Sequence, residues 1–193
     1  MVLNGRADRQ YRLEDLLRVM QRLRDPVHGC PWDLQQDFST IVPSTLEEAY
    51  ELVEAIEHGD FDHVAEELGD LMFQVVFYAQ LGLEQDLFDF QQIIHTLVDK
   101  LVRRHPHVFA GGELEGIVDA EADVTEVKQS WEAIKREERA ARQQTSVLDD
   151  IPLALPALSR AQKVQKRAAT VGFDWPDIQG VQDKIDEELE ELS

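Results

Sequence analysis

Basic residues are scarce in this sequence. Its 193 residues include 39 Asp and Glu but only 19 Lys and Arg, which gives a formal net charge of −20. Such a surface repels nucleic acids and anionic membranes, so we expect neither as a partner. A phosphate compound could approach these carboxylates only with a cation between them, and a divalent metal ion is the usual one.

Several other features are missing. A single cysteine, Cys30, excludes an intramolecular disulfide and fits a reducing compartment, so we expect a cytoplasmic protein. The first residues contain no apolar run of the secretory type, and no stretch approaches the ~18 apolar residues of a membrane span. There is no GxxxxGK[ST] motif, which argues against a P-loop ATPase.

Strand alternation is absent as well, and helical periodicity dominates. The pattern predicts an all-α fold in which residues 62–84, the most apolar stretch, form a buried central helix. Residues 26–44 are predicted to be a loop, and Ser44 with Glu47 is predicted to form a capping box. The other predicted helices are an amphipathic one that ends near Pro26, about 45–57, 87–104 and 122–142, a basic helix and a last acidic helix.

Two acidic pairs flank a predicted turn at Gly59. Glu48 with Glu51, and Glu67 with Asp70, are each spaced i, i+3, so each pair shares one helix face. Glu51 lies eight residues before the glycine and Glu67 eight after it, whereas Glu48 and Asp70 each lie eleven residues away. An antiparallel helix hairpin would therefore bring four carboxylates to one patch. Hard oxygen ligands of this kind suit Mg²⁺ or Mn²⁺.

Acidic pairs at this spacing are common in so acidic a chain, so a solvated acidic face is the structural alternative for either pair alone. The register across the turn favours a metal site. So does the position of Glu67 and Asp70 at the start of an apolar helix, where desolvation penalises idle charges. Taken alone, the residues leave both interpretations open.

The segments that carry these residues, STLEEAYELVEAI and EELGDLMFQVVFYAQ, resemble the ExxE…ExxD signature of the MazG pyrophosphohydrolases. The upstream RLRDPVHGCPWD and the downstream DKLVRRHPHVF and SWEAIKREER are also similar to that family, so the resemblance covers nearly the whole chain in order. It implies an all-α, MazG-like helical bundle and a homodimer. The implied reaction is hydrolysis of nucleoside triphosphates to nucleoside monophosphate and pyrophosphate, and the expected role is nucleotide-pool housecleaning.

The resemblance also implies roles for the acidic residues. Glu48, Glu51, Glu67 and Asp70 would hold Mg²⁺, with Mn²⁺ as a substitute. Glu47 is a candidate for an additional ligand or a water-activating base, and the capping box is its structural alternative.

Four residues further along the chain complete the implied site. Lys100, Arg104 and Lys135 would be catalytic and substrate-binding cations, and Trp131 would bind substrate by stacking on a base. Lys100 and Arg104 are spaced i, i+4, as are Trp131 and Lys135. The structural alternatives are a helix C-cap for Arg104 and a core position for Trp131.

The sequence also repeats itself weakly. Glu188 and Glu191 form a second ExxE motif, 140 positions after Glu48 and Glu51. We therefore expect a first MazG-like domain over 1–145, followed over 146–193 by a linker and the start of a second repeat, cut after its ExxE. The alternative function is a nucleotide-binding regulatory or dimerisation module whose catalytic copy is the missing C-terminal domain. A purely structural helical bundle is the third interpretation.

Overall fold

The computed structural model of the chain describes residues 10–118, 123–141 and 146–192. Within these ranges the chain is helical and contains no β-strand, which confirms the predicted all-α fold. The chain divides into two compact units, unit 1 (Met1–Arg103) and unit 2 (Arg104–Ser193). The predicted organisation, a first domain over 1–145 followed over 146–193 by a linker and the start of a second repeat, stays a prediction.

The described part of unit 1, residues 10–103, contains five helices, and the last of them ends one residue into unit 2. They are α1 (Leu13–Leu23), α2 (Pro31–Leu34), α3 (Val42–His58), α4 (Phe61–Glu84) and α5 (Phe90–Arg104).

Unit 2 continues with a single 3₁₀ turn and three helices among its described residues. They are the turn Ala110–Gly112, α6 (Val124–Ala141), α7 (Ala157–Ala169) and α8 (Ile178–Glu191).

Two predictions about the segment before the acidic pairs are wrong. The stretch 26–44 is not all loop, because α2 lies within it and α3 already begins at Val42. Ser44 is not the N-cap, since Ile41 occupies that position and no side chain caps the helix. The reason is Pro43, which the sequence pattern treats as a breaker but which fits the first turn of a helix, where its missing N–H has no partner to lose.

A short connection joins α3 to α4, and the two helices pack against each other. Gly59 ends α3 in the left-handed conformation, with φ of 71° and ψ of 22°, which glycine adopts without steric cost. Asp60 then caps α4 by accepting a hydrogen bond of 3.1 Å from the backbone N–H of His63. This connection fixes the register in which the acidic pairs meet.

The core of unit 1 lies at the C-terminal half of α4, where α1 packs against it. Its buried side chains are Met20, Ile41, Val76, Phe77 and Leu81. By contrast, the N-terminal half of α4 leaves large apolar side chains exposed, including Leu68 and Met72. The predicted burial of this helix therefore holds for its C-terminal half.

The side chain of Arg24 connects several of the segments around this core. Its buried guanidinium makes a two-point ion pair with Glu84 on α4, at 2.6 Å for Nη2 to Oε2 and 2.8 Å for Nε to Oε1. It also donates to the carbonyl oxygens of Asp33 and Gln36 and lies over the ring of Phe77. The hydrogen bonds from Arg24 are the main reason why the pKa of Glu84 lies below its usual value.

Candidate metal centre

Three of the predicted carboxylates meet on the α3–α4 pair. One oxygen from each of Glu48, Glu67 and Asp70 lies within 4.8 Å of the other two. Glu48 is half-buried on α3, Glu67 is buried on α4, and Asp70 is exposed one turn further on. We call these three residues the carboxylate cluster.

The cluster is electrostatically unfavourable without a cation. The pKa of Glu48 is raised, first because burial penalises its charged form and then because Asp70, Glu51, Glu67 and Glu47 carry like charges nearby. Among these charges, Asp70 has the largest effect on the pKa of Glu48. A divalent ion at this position would replace mutual repulsion with attraction.

The two carboxylate oxygens of Glu67 have different surroundings, and one of them is unsatisfied. Its Oε1 lies 2.7 Å from Nε2 of His63, one turn earlier on α4. Its Oε2 is buried and has no hydrogen-bond partner. A buried carboxylate oxygen without a partner is costly, and a hard cation is a ligand that would satisfy it. The residues present therefore fit a Mg²⁺ or Mn²⁺ ion.

His63 is a residue of this site that the sequence analysis missed. It lies four residues before Glu67 on α4, and this i, i+4 spacing places the two side chains on the same helix face. The spacing to a predicted metal ligand is the feature of the sequence that could have indicated His63. Its 2.7 Å contact with Oε1 leaves the other oxygen of Glu67 for a cation and so orients the carboxylate.

Glu51 and Glu47 lie next to the cluster but outside it. Both side chains are exposed, and Glu51 is not among the three carboxylates whose oxygens converge. Both nevertheless contribute to the raised pKa of Glu48. Because the predicted capping box is absent, the structural alternative for Glu47 is removed and its carboxylate faces solvent.

Three of the four predicted cationic and aromatic residues lie in unit 2 and line one cavity: Arg104, Trp131 and Lys135. Arg104 makes a two-point ion pair with Glu138, at 2.6 Å for Nη2 to Oε2, and this pair raises the pKa of its guanidinium. Lys135 pairs with Glu132 at 3.1 Å, and its Nζ lies 5.3 Å from the ring centroid of Trp131. Arg104 therefore bonds to a side chain of α6 rather than only ending its own helix.

Trp131 is half-buried on α6 and is not a core residue. The ring of His105 meets it edge-on, with ring centroids 5.2 Å apart. Its indole Nε1 is buried without a hydrogen-bond partner. Lys100, the remaining predicted residue, is half-buried on α5, one turn before Arg104.

Comparison with known proteins identifies the family. Residues 36–109 match the MazG nucleotide pyrophosphohydrolase domain, and this range includes all four predicted carboxylate ligands. A curated protein of Escherichia coli K12, named nucleoside triphosphate pyrophosphohydrolase, is 56% identical over 180 residues, which are 93% of this chain and 66% of that protein. The chain belongs to the MazG family.

A second relative and a solved structure support this assignment. The Thermotoga maritima protein named nucleoside triphosphate pyrophosphohydrolase/pyrophosphatase MazG is 44% identical over 179 residues, 93% of this chain and 65% of that protein. The chain thus spans just under two thirds of the length of these curated MazG relatives. A crystal structure of a MazG-related protein from the same organism, 23% identical, supports the fold, with a TM-score of 0.53 over 64% of this chain and 99% of that one.

Among the described helices, none is long and apolar enough to cross a membrane.

Proposed function

We propose that this chain is a hydrolase that cleaves the α–β phosphoanhydride of nucleoside and deoxynucleoside triphosphates, giving nucleoside monophosphate and pyrophosphate, in a Mg²⁺-dependent reaction. The names of the relatives support the reaction class. The carboxylate cluster supports the dependence on a divalent ion. The observation that carries the proposal is the buried, unpartnered oxygen of Glu67 within 4.8 Å of two further carboxylates.

Glu48, Glu67 and Asp70 would hold the ion, and Glu51, one turn after Glu48 on α3, is proposed as the fourth ligand. Mn²⁺ offers the same preference for oxygen ligands and could replace Mg²⁺. The ion would supply Lewis acidity at the phosphate chain and lower the pKa of water, as divalent ions do in phosphoryl-transfer sites. His63 keeps the Glu67 carboxylate in one orientation through its 2.7 Å contact.

Glu47 is proposed as the group that takes the proton from the attacking water, since its carboxylate is exposed beside the cluster. Lys100, Arg104 and Lys135 would neutralise the charge that develops on the departing pyrophosphate. To do so, Arg104 has to exchange Glu138 for phosphate oxygens, and Lys135 has to exchange Glu132. The ring of Trp131 offers a surface on which a base can stack.

A homodimer is proposed from the apolar residues that the α3–α4 pair leaves exposed. On α3 the side chain of Tyr50 is 60% exposed, and on α4 that of Phe61 is 79% exposed. Leu46, Val53, Leu68 and Met72 are also exposed on these two helices. A set of large apolar residues on two packed helices favours a contact with a second copy of the same surface.

We place the reaction in the cytoplasm, where it would remove unwanted nucleotides from the pool.

The test is a hydrolysis assay with Mg²⁺ in which the nucleotide products are separated by chromatography. The double variant Glu48→Gln/Glu67→Gln should lose activity by several orders of magnitude, because two of the three converging carboxylates are gone. The matched control is Glu54→Gln/Glu57→Gln, which removes two exposed carboxylates from α3 and should keep the wild-type rate.

Other products or no turnover would contradict the proposal in different ways. Nucleoside diphosphate with inorganic phosphate would rule out attack at the α-phosphorus. An absence of turnover with retained binding of Mg²⁺ and nucleotide would favour a regulatory or dimerisation module, with catalysis carried by another copy of the domain.

A further inference from the structure

A strongly basic cavity lies in unit 2, in a chain whose net charge is −20. It measures about 710 Å³ and lies between residues of α6 and α7, with Arg104 and Asp150 also at its wall. Seven Lys and Arg side chains line it against three carboxylates. Because the chain has only 19 basic residues, this is a pronounced local concentration.

Three of the seven cations are already engaged. Arg104 pairs with Glu138, and Lys135 pairs with Glu132. Arg167 donates a hydrogen bond of 3.1 Å to the backbone carbonyl of Val147. The cations that the family resemblance singles out in this cavity are therefore the ones whose charge is locally compensated.

The other four cations have no ion pair or hydrogen bond among the residues that the structure describes. Lys128 and Arg139 belong to α6, and they are eleven residues apart, which returns an α-helix to the same face after three turns. Lys163 and Lys166 belong to α7 and are spaced i, i+3. Two helices thus direct uncompensated positive charge at one cavity, an arrangement that is repulsive unless an anion lies between them.

Trp131 gives an independent indication of a ligand. It lines the same cavity, and its indole Nε1 is buried without an acceptor. Indole N–H groups normally find an acceptor when they are buried, and an anionic oxygen is a strong one.

We propose that this cavity binds a chain of phosphates, with Lys163 and Lys166 of α7 as phosphate-binding residues, and that it does so without a divalent ion. The proposal extends the substrate-binding part of the proposed function to α7, but it does not require the carboxylate cluster to be active. A phosphate chain carries several negative charges in a row and matches cations presented from two sides. Both a nucleoside triphosphate and free tripolyphosphate contain this group.

The test is calorimetric titration of the full chain with inorganic tripolyphosphate in the presence of EDTA. The variant is Lys163→Gln/Lys166→Gln, which removes two exposed charges from α7. The matched control is Arg18→Gln/Lys184→Gln, which removes the same charge from α1 and α8, outside the cavity. A third variant, Lys163→Arg/Lys166→Arg, keeps the charge.

We expect wild type, the control and the arginine variant to bind tripolyphosphate. The glutamine variant should bind at least roughly tenfold more weakly, because each charged hydrogen bond contributes more than a neutral one. Equal weakening in the glutamine variant and the control would overturn the proposal, since it would reduce the effect to net charge. So would an absence of measurable binding by wild type.

Two further titrations separate the sources of the phosphate chain. If ATP binds more tightly than tripolyphosphate, the nucleoside makes an additional contact with the cavity. If the two bind equally, the phosphates account for all of the affinity. Both outcomes support the proposal. Binding of adenosine without binding of tripolyphosphate would overturn it. Because Glu48→Gln/Glu67→Gln should retain this metal-free binding, loss of hydrolysis and loss of the phosphate site are distinguishable.

Discussion

The two units of the chain differ in how they bury apolar side chains. In unit 1, the side chains of Met20, Val76, Phe77 and Leu81 are almost completely inaccessible. In the described part of unit 2, no residue reaches that degree of burial. The helices of unit 2 are nonetheless amphipathic: Ile185 and Leu189, one turn apart on α8, are both more than half exposed. An apolar stripe specifies a helix, but it does not specify what will cover the stripe.

The chemistry follows the same division. The carboxylate cluster lies in the unit that has a core, on α3 and α4, which pack against each other. The uncompensated cations lie on α6 and α7, in the unit whose described residues include none that is buried. A metal site needs oxygens held at fixed separations, whereas attraction between a cationic cavity and a polyanion tolerates variation in distance. The comparison therefore predicts that substitutions in the two units have very different effects on stability.

The largest difference should come from removing a core side chain. Phe77→Ala should lower the free energy of unfolding by about 3–5 kcal/mol, because it removes a fully buried ring from the core. The counterpart in unit 2 is Ile134→Ala, on the half-buried face of α6, which should cost about 1 kcal/mol. Urea unfolding followed by circular dichroism measures both. Similar losses would mean that unit 2 is as well packed as unit 1.

A smaller effect is expected at a glycine of unit 1. In Gly82→Ala the new Cβ would lie 2.6 Å from the ring of Phe88 and 2.7 Å from its carbonyl oxygen, so the chain has to shift. Overpacking of this kind costs about 1–3 kcal/mol. The control is Gly69→Ala in the same helix, where nothing lies within 4 Å. It should stabilise α4 by up to about 1 kcal/mol. Thermal unfolding of the two variants should shift in opposite directions.

The ion pair between Arg24 and Glu84 should make the stability of unit 1 depend on pH. Because the folded-state pKa of Glu84 lies below its usual value of 4.5, the unfolded state binds more protons in that window. The stabilisation is present above pH 4.5 and is lost as the pH falls through the folded-state pKa. Glu84→Gln should therefore lower the free energy of unfolding by about 1 kcal/mol at pH 7 and leave it unchanged at a pH below the folded-state pKa of Glu84. A constant difference across the pH range would contradict this explanation.

The smallest expected effect is on the stability of a Glu48 variant, and its dependence on pH is opposite to that of Glu84. The pKa of Glu48 is raised in the folded state, so its contribution to stability is lost as the pH rises through that pKa. In EDTA at pH 8, Glu48→Gln should raise the melting temperature slightly, because it removes a like charge from the cluster. With Mg²⁺ the order should reverse, since the variant lacks one proposed ligand and gains less stability from binding than wild type does. Melting temperatures with and without Mg²⁺ test this, with Glu57→Gln as the control.

The sequence predicts most of the helices, because their apolar residues recur with helical spacing. It also predicts the turn at Gly59 and the convergence of four carboxylates, of which three come together. It does not predict that Glu51 lies outside the group, because equal spacing from a turn ignores the tilt and rotation of each helix. Nor could it show that Arg104 and Lys135 have carboxylate partners, since Glu138 and Glu132 are two among 39 acidic residues. Pairings of this kind are decided by tertiary structure.

The connection at Gly59 and Asp60 also has a consequence for inheritance. Every residue of the carboxylate cluster, together with His63, lies within residues 48–70, on two helices joined by one short turn. Contacts this local in sequence need no distant segment to set their register. A single gene segment therefore encodes both the ligands and their spacing. Duplication or transfer of that segment would copy the geometry whole, so a new domain could acquire this site in one genetic event.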